Sequence, residues 1–117
     1  MSSTSSETES IVTNHLRAFF QGSIDGVVED YAADSVFIVR DGPLRGTQNI
    51  RRFFAEFIGT LPAGFLAAFK MHRQEFSGEV GYIVWEALPW VRLGTDTFVV
   101  QGGKIVKQTF ACYPASW

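Results

Sequence analysis

Residues 94–110, GTDTFVVQGGKIVKQTF, place two β-rich runs on either side of a glycine pair. Thr, Phe and Val favour strands and adjacent glycines favour a tight turn, so this segment predicts a β-hairpin. The first run also contains Asp96. Because a carboxylate is costly among such residues unless a partner or a function retains it, the hairpin predicts a polar group on one face of a sheet.

The loop length decides which side chains share a face of this hairpin, because successive residues of a strand point to opposite sides. A two-residue Gly102-Gly103 loop mixes apolar and polar residues on both faces. A three-residue loop over 101–103, with Gly103 as a left-handed bulge, sets Asp96 directly opposite Gln108, and we predict this register. One face then holds Asp96, Phe98, Val100, Val106, Gln108 and Phe110, and the other holds Thr95, Thr97, Val99, Ile105, Lys107 and Thr109.

Helical periodicity is confined to the first half of the chain. Apolar residues recur at spacings of three and four in a first helix, in a second whose apolar stripe ends at Tyr31, and in a third that ends at Gly59. Ser23 or Asp25 is a suitable N-cap for the second helix, and Thr47 for the third. The sequence therefore predicts three helices.

One strand, Ser35–Arg40, separates the second and third helices and is closed by the turn signal Asp41-Gly42-Pro43. After Gly64 the sequence predicts strands alone. The alternation leaves open which faces of the first two of them look inward. The four late strands are predicted over Phe65–Phe76, Val80–Leu88, Leu93–Gln101 and Lys104–Tyr113.

A chain of 117 residues is long enough for one domain whose core needs neither a disulfide nor a metal. Met1–Ser6 is rich in Ser and Thr and has nothing to bury. We therefore predict a mobile tail over residues 1–6 and a single domain over residues 7–117.

Charge and cysteine content exclude several classes of protein. The net charge of −2 comes from acidic and basic residues mixed along the chain, which gives no support to a nucleic-acid partner. Cys112 is the single cysteine, and no Cys/His spacing indicates a metal site. No apolar run has the length of a membrane span and the N-terminus lacks signal-peptide features, so we expect a cytoplasmic protein with no membrane partner.

The order of elements is helix, helix, strand, helix and then four strands. Helices segregated on one side of a mostly antiparallel sheet make an α+β domain. A strongly curved sheet that wraps three helices leaves a cone with an opening at one end. The sequence therefore predicts a cone-shaped α+β barrel.

Five short segments accompany this order of elements: Ile24–Val28, Tyr31–Val36, Leu44–Gly46, Gly94–Phe98 and Gly103–Ile105. Together they resemble the nuclear-transport-factor-2-like superfamily, and within it the SnoaL-like and ketosteroid-isomerase-like branch. The resemblance implies a cystatin-like fold, with three N-terminal helices packed in a strongly curved and mostly antiparallel sheet.

The steroid isomerases of this branch polarise a ketone with a Tyr and a neutral Asp as donors, while a second Asp moves the proton. The resemblance implies that Asp96 takes the place of the donor Asp and His15 that of the Tyr. Val39 falls where the second Asp stands, and valine cannot move a proton. Asp41 lies two residues further on the same strand face, where it either replaces the base from the cavity rim or simply begins the turn.

Three polar side chains form the predicted site. His15 shares its helix stripe with apolar residues, so it either lines a cavity or is a core histidine. Asp96 either binds a ligand or accepts hydrogen bonds that stabilise the fold, and Gln108 can donate to it or accept from it. We predict Asp96 and His15 as catalytic residues. The predicted pocket lining is Gln108, Phe19, Val39, Phe54, Phe98, Phe110 and Asp41.

These features predict a protein that encloses a small apolar molecule bearing a carbonyl or hydroxyl group. If it is an enzyme, proton transfer of the isomerase, cyclase or dehydratase type fits best, with no metal and no organic cofactor. The alternatives are a ligand-binding or sensing protein without turnover, and a dimeric interaction module whose cone is filled by its own aromatic residues. The flat Thr/Val/Ile face and the resemblance both favour a homodimer. The predicted dimer face is Thr95, Thr97, Val99, Ile105 and Thr109.

Overall fold

The computed structural model describes residues 3–115, and within this range the chain forms four helices and six strands. The helices are α1 (Ser5–Phe20), α2 (Ile24–Glu29), α3 (Thr47–Gly59) and the single turn α4 (Phe65–Ala68). The strands are β1 (Tyr31–Val39), β2 (Gly42–Arg45), β3 (Phe69–Ser77), β4 (Val80–Ala87), β5 (Val91–Gln101) and β6 (Lys104–Tyr113).

The strands form one curved, unclosed sheet in the order β2-β1-β6-β5-β4-β3. Neighbouring strands are antiparallel except β1 and β6, which run parallel. Helix α1 contacts β3, β4 and β5 and helix α3 contacts β1 and β2, so the core lies between these helices and one sheet face. The predicted α+β fold class is confirmed, with one strand and one short helix more than the sequence indicated.

The N-terminal segment carries its own capping interactions. Thr4 Oγ1 accepts a hydrogen bond from Glu7 N, and Glu7 Oε1 accepts one from Thr4 N, both at 3.1 Å. This capping box starts α1 at Ser5. Ser3 is buried and donates to the carbonyl of Val100 at 2.9 Å. Residues 3–6 are thus capped or bonded rather than a free tail, whereas Met1 and Ser2 lie outside the described residues.

The periodicity predicted that Tyr31 ends the apolar stripe of α2. In the structure Tyr31 is instead the first residue of β1. Helix α2 is capped by Ser23 and ends at Glu29, and the carbonyl of Asp30 then accepts a hydrogen bond from Ile105 N at 2.7 Å. This pairing with β6 draws the chain into the sheet, so β1 starts four residues before the predicted strand. Local periodicity could not reveal it because the partner strand is distant in sequence.

Three other local predictions are corrected by glycine and proline geometry. The Asp41-Gly42-Pro43 turn continues into the edge strand β2, where a proline is tolerated because its missing N–H is not needed by a neighbour. Gly64 has a φ of +87° and starts the short helix α4 where a strand was predicted. Gly46, with a φ of +83°, is the N-cap of α3 instead of Thr47, while the predicted end at Gly59 is confirmed.

The register of the β5–β6 hairpin differs from the predicted one. Gly102 and Gly103 both have positive φ and form a two-residue loop between the paired residues Gln101 and Lys104. Val106 has no partner residue on β5, so the bulge lies at Val106 and not in the loop. Asp96 therefore lies opposite Phe110, and Phe98 lies opposite Gln108.

The bulge also changes which residues of β6 face the core. Ile105 is fully buried at 0% exposure, so it cannot belong to the predicted outer dimer face, and Val106 does not take its place in the buried core. Beyond the bulge the predicted alternation resumes, with Asp96, Phe98, Val100, Gln108 and Phe110 all buried. The inner face was therefore predicted correctly except at the position next to the loop.

Candidate functional site

The inner cavity is a space of about 50 Å³ between the helices and the concave sheet face. Most of its wall is phenylalanine, and the predicted wall residues Phe19, Phe54, Phe98 and Phe110 all belong to it. The volume holds one or two water molecules, far less than a typical ligand pocket. In this conformation the cone is therefore filled mainly by its own aromatic rings.

The three predicted polar residues, His15, Asp96 and Gln108, all line this cavity. They come from α1, β5 and β6, and the fold brings them to one end of an otherwise apolar wall. The sequence left open which faces of β3 and β4 look inward. In the structure Phe69 and Trp85 line the cavity, while Glu86 points outward and forms a hydrogen bond with His72. The polar end of the cavity is thus formed by residues far apart in sequence.

Asp96 is 9% exposed, and both of its carboxylate oxygens accept hydrogen bonds. Trp85 Nε1 donates to Oδ1 at 2.9 Å, and Gln108 Nε2 donates to Oδ2 at 3.0 Å. Burial raises the pKa of Asp96 from 3.8 to about 6, against the opposing effect of the two donors and of His15. The carboxylate form therefore prevails at pH 7, and the neutral form prevails only below about pH 6.

Gly94 makes the Trp85 contact possible. The two residues are paired across β4 and β5, and a Cβ at Gly94 would lie only 2.3 Å from Trp85 Cε2. Because real Cβ atoms do not approach other atoms so closely, only glycine lets the indole lie flat over β5. The ring then reaches Asp96 with its N–H group.

Tyr31 extends the polar end beyond the predicted trio. Its buried hydroxyl donates a hydrogen bond to Gln108 Oε1. Burial, and then the charges of Asp96 and Asp30, hold the pKa of Tyr31 well above its usual range, so the hydroxyl keeps its proton. The sequence did not reveal this residue because its spacing fitted the stripe of α2.

His15 connects this group of side chains to Asp30. Its Nδ1 is 3.3 Å from Asp30 Oδ2, and its Nε2 is 3.4 Å from the Tyr31 hydroxyl oxygen. The rings of Phe54 and Phe98 pack against it edge to face. We name the resulting series of hydrogen-bonded side chains the buried polar chain: Asp30, His15, Tyr31, Gln108, Asp96 and Trp85.

Val39 and Asp41 lie elsewhere, in an outer depression of about 440 Å³ between β1, β2 and α3. Phe53 and Phe57 line both this depression and the inner cavity. The Asp41 side chain is 83% exposed and lies 3.4 Å from Arg40 Nε. Neither residue lines the inner cavity, so the structure does not bring Asp41 to the position of the missing base.

The described residues contain neither a metal-binding cluster nor a membrane-spanning helix. Over residues 3–115 no three His, Cys, Asp or Glu side chains are grouped as a metal ion would require. In the same range no helix has the length and apolar character needed to cross a bilayer.

Residues 12–108 match the family model of the SnoaL-like domain, and the chain belongs to this family. The family lies in the nuclear-transport-factor-2-like superfamily, so the predicted membership is confirmed. No curated protein matches the chain.

Solved structures with the same fold are distant in sequence. An NTF2-like protein from Mesorhizobium loti has 19% identity and a TM-score of 0.75, with 92% of each chain covered. A protein with a cystatin-like fold from Methylobium petroleophilum PM1 has 10% identity and a TM-score of 0.74, covering 97% of this chain and 80% of that one. A putative polyketide cyclase from Sinorhizobium meliloti has 16% identity and a TM-score of 0.72, covering 86% and 93%. At such identities these similarities show the fold alone.

Proposed function

We propose that this SnoaL-like protein binds a small apolar molecule bearing a carbonyl or hydroxyl group and moves a proton beside that group, with Asp96 as the base. The observation that carries the proposal is the buried carboxylate of Asp96 at the polar end of an aromatic cavity. Its pKa of about 6 suits a general base, because a base is most effective when its pKa lies near the working pH. Cyclase and isomerase members of the family support this reaction class.

Gln108 would bind the oxygen of the ligand, and His15 would hold Gln108 in place through Tyr31. Gln108 Nε2 carries a second hydrogen besides the one that it donates to Asp96, and this hydrogen can donate to a ligand oxygen. His15 lies in the same wall. Asp96 would then remove the proton from the neighbouring atom of the ligand and return it at a second position, as isomerisation, cyclisation and dehydration all require.

A ligand larger than two or three heavy atoms needs more space than the inner cavity offers. Phe53 and Phe57 separate that cavity from the outer depression. Rotation of these two rings would join the two spaces, so we assign the outer depression as the entrance. A ligand that binds this way keeps its apolar body among the phenylalanines and its polar group at Asp96.

The test begins with thermal shifts against a library of small apolar ketones, enols and alcohols. A ligand at 100 times its dissociation constant should add about 2.7 kcal/mol to the free energy of unfolding. Turnover of any hit is then measured in Asp96→Asn, His15→Ala and Asp34→Asn. We expect Asp96→Asn to lower kcat by roughly 10²-fold or more, while the control Asp34→Asn, at an exposed residue that lines neither space, keeps wild-type activity. Undiminished turnover in both Asp96→Asn and His15→Ala would exclude the assigned roles.

Binding without turnover is the second candidate function. It is favoured by the two hydrogen bonds that already occupy Asp96 and by valine at position 39, where the related isomerases carry their base. A hit that shifts the melting temperature of wild type and Asp96→Asn equally, and is recovered unchanged, would establish this reading. A library that shifts nothing would indicate an interaction module with a filled cone.

We also propose a homodimer through the outer sheet face. A row of residues crosses four adjacent strands here, formed by Tyr82, Thr97, Thr109 and Ile38. Tyr82 and Ile38 are large, exposed and apolar, which suits packing against a second sheet. Sedimentation should give twice the mass of 13.0 kDa, and Tyr82→Lys should shift it to the monomer. A monomer across a wide concentration range in the wild type would exclude the dimer.

A further inference from the structure

The buried polar chain has a direction between Tyr31 and Asp96. Tyr31 has one hydroxyl hydrogen and donates it to Gln108 Oε1, an amide oxygen that can only accept. Gln108 Nε2 in turn donates to Asp96 Oδ2. Both donors in this part of the chain therefore point towards Asp96.

This direction determines what His15 has to supply. Since the hydrogen of Tyr31 is already used, the 3.4 Å contact with His15 Nε2 is a hydrogen bond only when Nε2 carries a hydrogen. Nδ1 faces Asp30 Oδ2 at 3.3 Å, where an ionised carboxylate accepts. With both bonds made, His15 carries a hydrogen on each ring nitrogen and its positive charge lies between Asp30 and Asp96.

The same groups are also satisfied when the direction is reversed. A proton on Asp96 Oδ2 then donates to Gln108 Oε1 after the amide has turned over, and Gln108 Nε2 donates to the Tyr31 oxygen. Tyr31 donates to His15 Nε2, and His15 keeps only the hydrogen on Nδ1. Both arrangements contain the same number of protons, because one has left His15 Nε2 and one has arrived on Asp96 Oδ2.

We propose that His15 and Asp96 share one proton through Tyr31 and Gln108, so that Asp96 is a base in one arrangement and a hydrogen-bond donor in the other. Tyr31 and Gln108 are positioning residues, since neither gains or loses a net proton. The use of this proton in a reaction rests on the proposed function, but the sharing is a property of the protein without ligand.

The surroundings contain few other groups that could hold the proton. Asp30 and Tyr31 face His15 from the junction of α2 and β1, and Trp85 and Gln108 face Asp96 from β4 and β6. Helix α3 and strand β5 present the phenyl rings of Phe54 and Phe98 to His15. Among the described residues that line the cavity, His15 and Asp96 are the titratable ones.

Nitrogen NMR of the histidine rings tests the sharing in the full-length, ligand-free protein at pH 7. The chain has two histidines, so His72→Gln assigns the signals of His15. We expect both ring nitrogens of His15 to carry hydrogen in the wild type. In Asp96→Asn the amide of Asn donates to Gln108 as in the reversed arrangement, and we expect His15 Nε2 to lose its hydrogen.

Two further variants distinguish coupling through the buried polar chain from direct electrostatic coupling between Asp96 and His15. Tyr31→Phe and Gln108→Met each interrupt the buried polar chain without changing the net charge. In either background we expect Asp96→Asn to change the signals of His15 clearly less, while the exposed control Tyr113→Phe retains the full response. If one of these variants does not fold, the other decides.

Signals of His15 that are the same in the wild type and in Asp96→Asn would overturn the proposal. An equally large response after the chain is interrupted would also overturn it, because charge alone would then explain the coupling. The outcome is independent of the proposed function. A protein that binds no ligand yet shows the expected response supports the sharing and argues against the reaction.

Discussion

The inner cavity and the outer depression adjoin at Phe53 and Phe57, yet each gives an aspartate a different character. Asp96 is 9% exposed and bonded by two neutral N–H groups, whereas the Asp41 side chain is 83% exposed and lies beside Arg40. Burial raises the pKa of Asp96 to about 6. The environment of a carboxylate, and not its residue type or its place on a strand, therefore makes it useful for proton transfer at neutral pH.

The largest contrast is expected from the apolar walls of the two spaces. Phe98 is 1% exposed in the inner wall, and Leu44 is half-buried in the outer depression. Phe98→Ala should lower the free energy of unfolding by about 3–5 kcal/mol, because it leaves a cavity in the core. Leu44→Ala should have a clearly smaller effect, since solvent can fill its place. Urea denaturation measures the free energy of unfolding of both variants. Equal losses would show that the inner wall is no better packed than the outer depression.

Asp96 should make the stability of the protein depend on pH. Its pKa is about 6 in the folded protein and 3.8 as an ordinary value, so the folded state binds the proton more tightly. The stability that this group contributes is fully present below pH 3.8 and is lost as the pH rises through 6. From pH 4 to pH 7 we expect a loss of about 2 kcal/mol from this residue.

Urea denaturation across this pH range, with the difference taken between wild type and Asp96→Asn, isolates that contribution. Asp41→Asn is the matched control and should follow the wild-type pH dependence. A wild-type curve parallel to that of Asp96→Asn would show that burial does not shift the titration of Asp96.

The position of the Trp85 indole ring depends on the absence of a side chain at Gly94. Gly94→Ala should lower the free energy of unfolding by about 1–3 kcal/mol, because its Cβ would lie 2.3 Å from the indole ring. The displaced indole should also lose its hydrogen bond to Asp96, which a shift of the Trp85 N–H signal in NMR reports. Gly59→Ala is the control, since a Cβ there meets nothing within 4 Å. Similar stability of the two variants would contradict the close packing of Trp85.

The smallest effect is expected in the outer depression. Asp41→Asn removes the contact with Arg40, an exposed ion pair, and should change the free energy of unfolding by less than about 0.5 kcal/mol. Thermal denaturation at low and at moderate salt measures it. A loss above 1 kcal/mol would show that Asp41 has a structural role that its exposure does not indicate.

The inner face of the hairpin could be predicted from sequence because alternation is a local property. Asp96, Phe98, Gln108 and Phe110 all face the core as expected. The register could not, because two glycines with positive φ permit a two-residue loop and move the bulge to Val106. The predicted contact between Asp96 and Gln108 is still present, although the register differs, because both side chains lie on the same face of adjacent strands.

Three of the six residues of the buried polar chain, Asp30, Tyr31 and Trp85, could not be predicted from the alternation of residues along a strand. Tyr31 and Asp30 follow a short helix, and their positions depend on the pairing of β1 with β6. Trp85 remained undecided because its strand alternates without a clear polar face. Val39 was assigned by resemblance and Asp41 by its spacing from Val39 along the strand, and the structure places both in the outer depression. Long-range pairing and distant resemblance therefore account for the errors.

The parallel pairing of β1 with β6 has a consequence for the order of assembly. Strand β6 is the last along the chain, but it lies between β1 and β5 in the sheet. Until it inserts, those two strands present open edges, and Ser35 lacks its bond to the carbonyl of Ile105, 70 residues away. Such distant contacts form late in folding. Gln108 belongs to this strand, so the polar end of the cavity is completed in the step that joins β1 to the rest of the sheet.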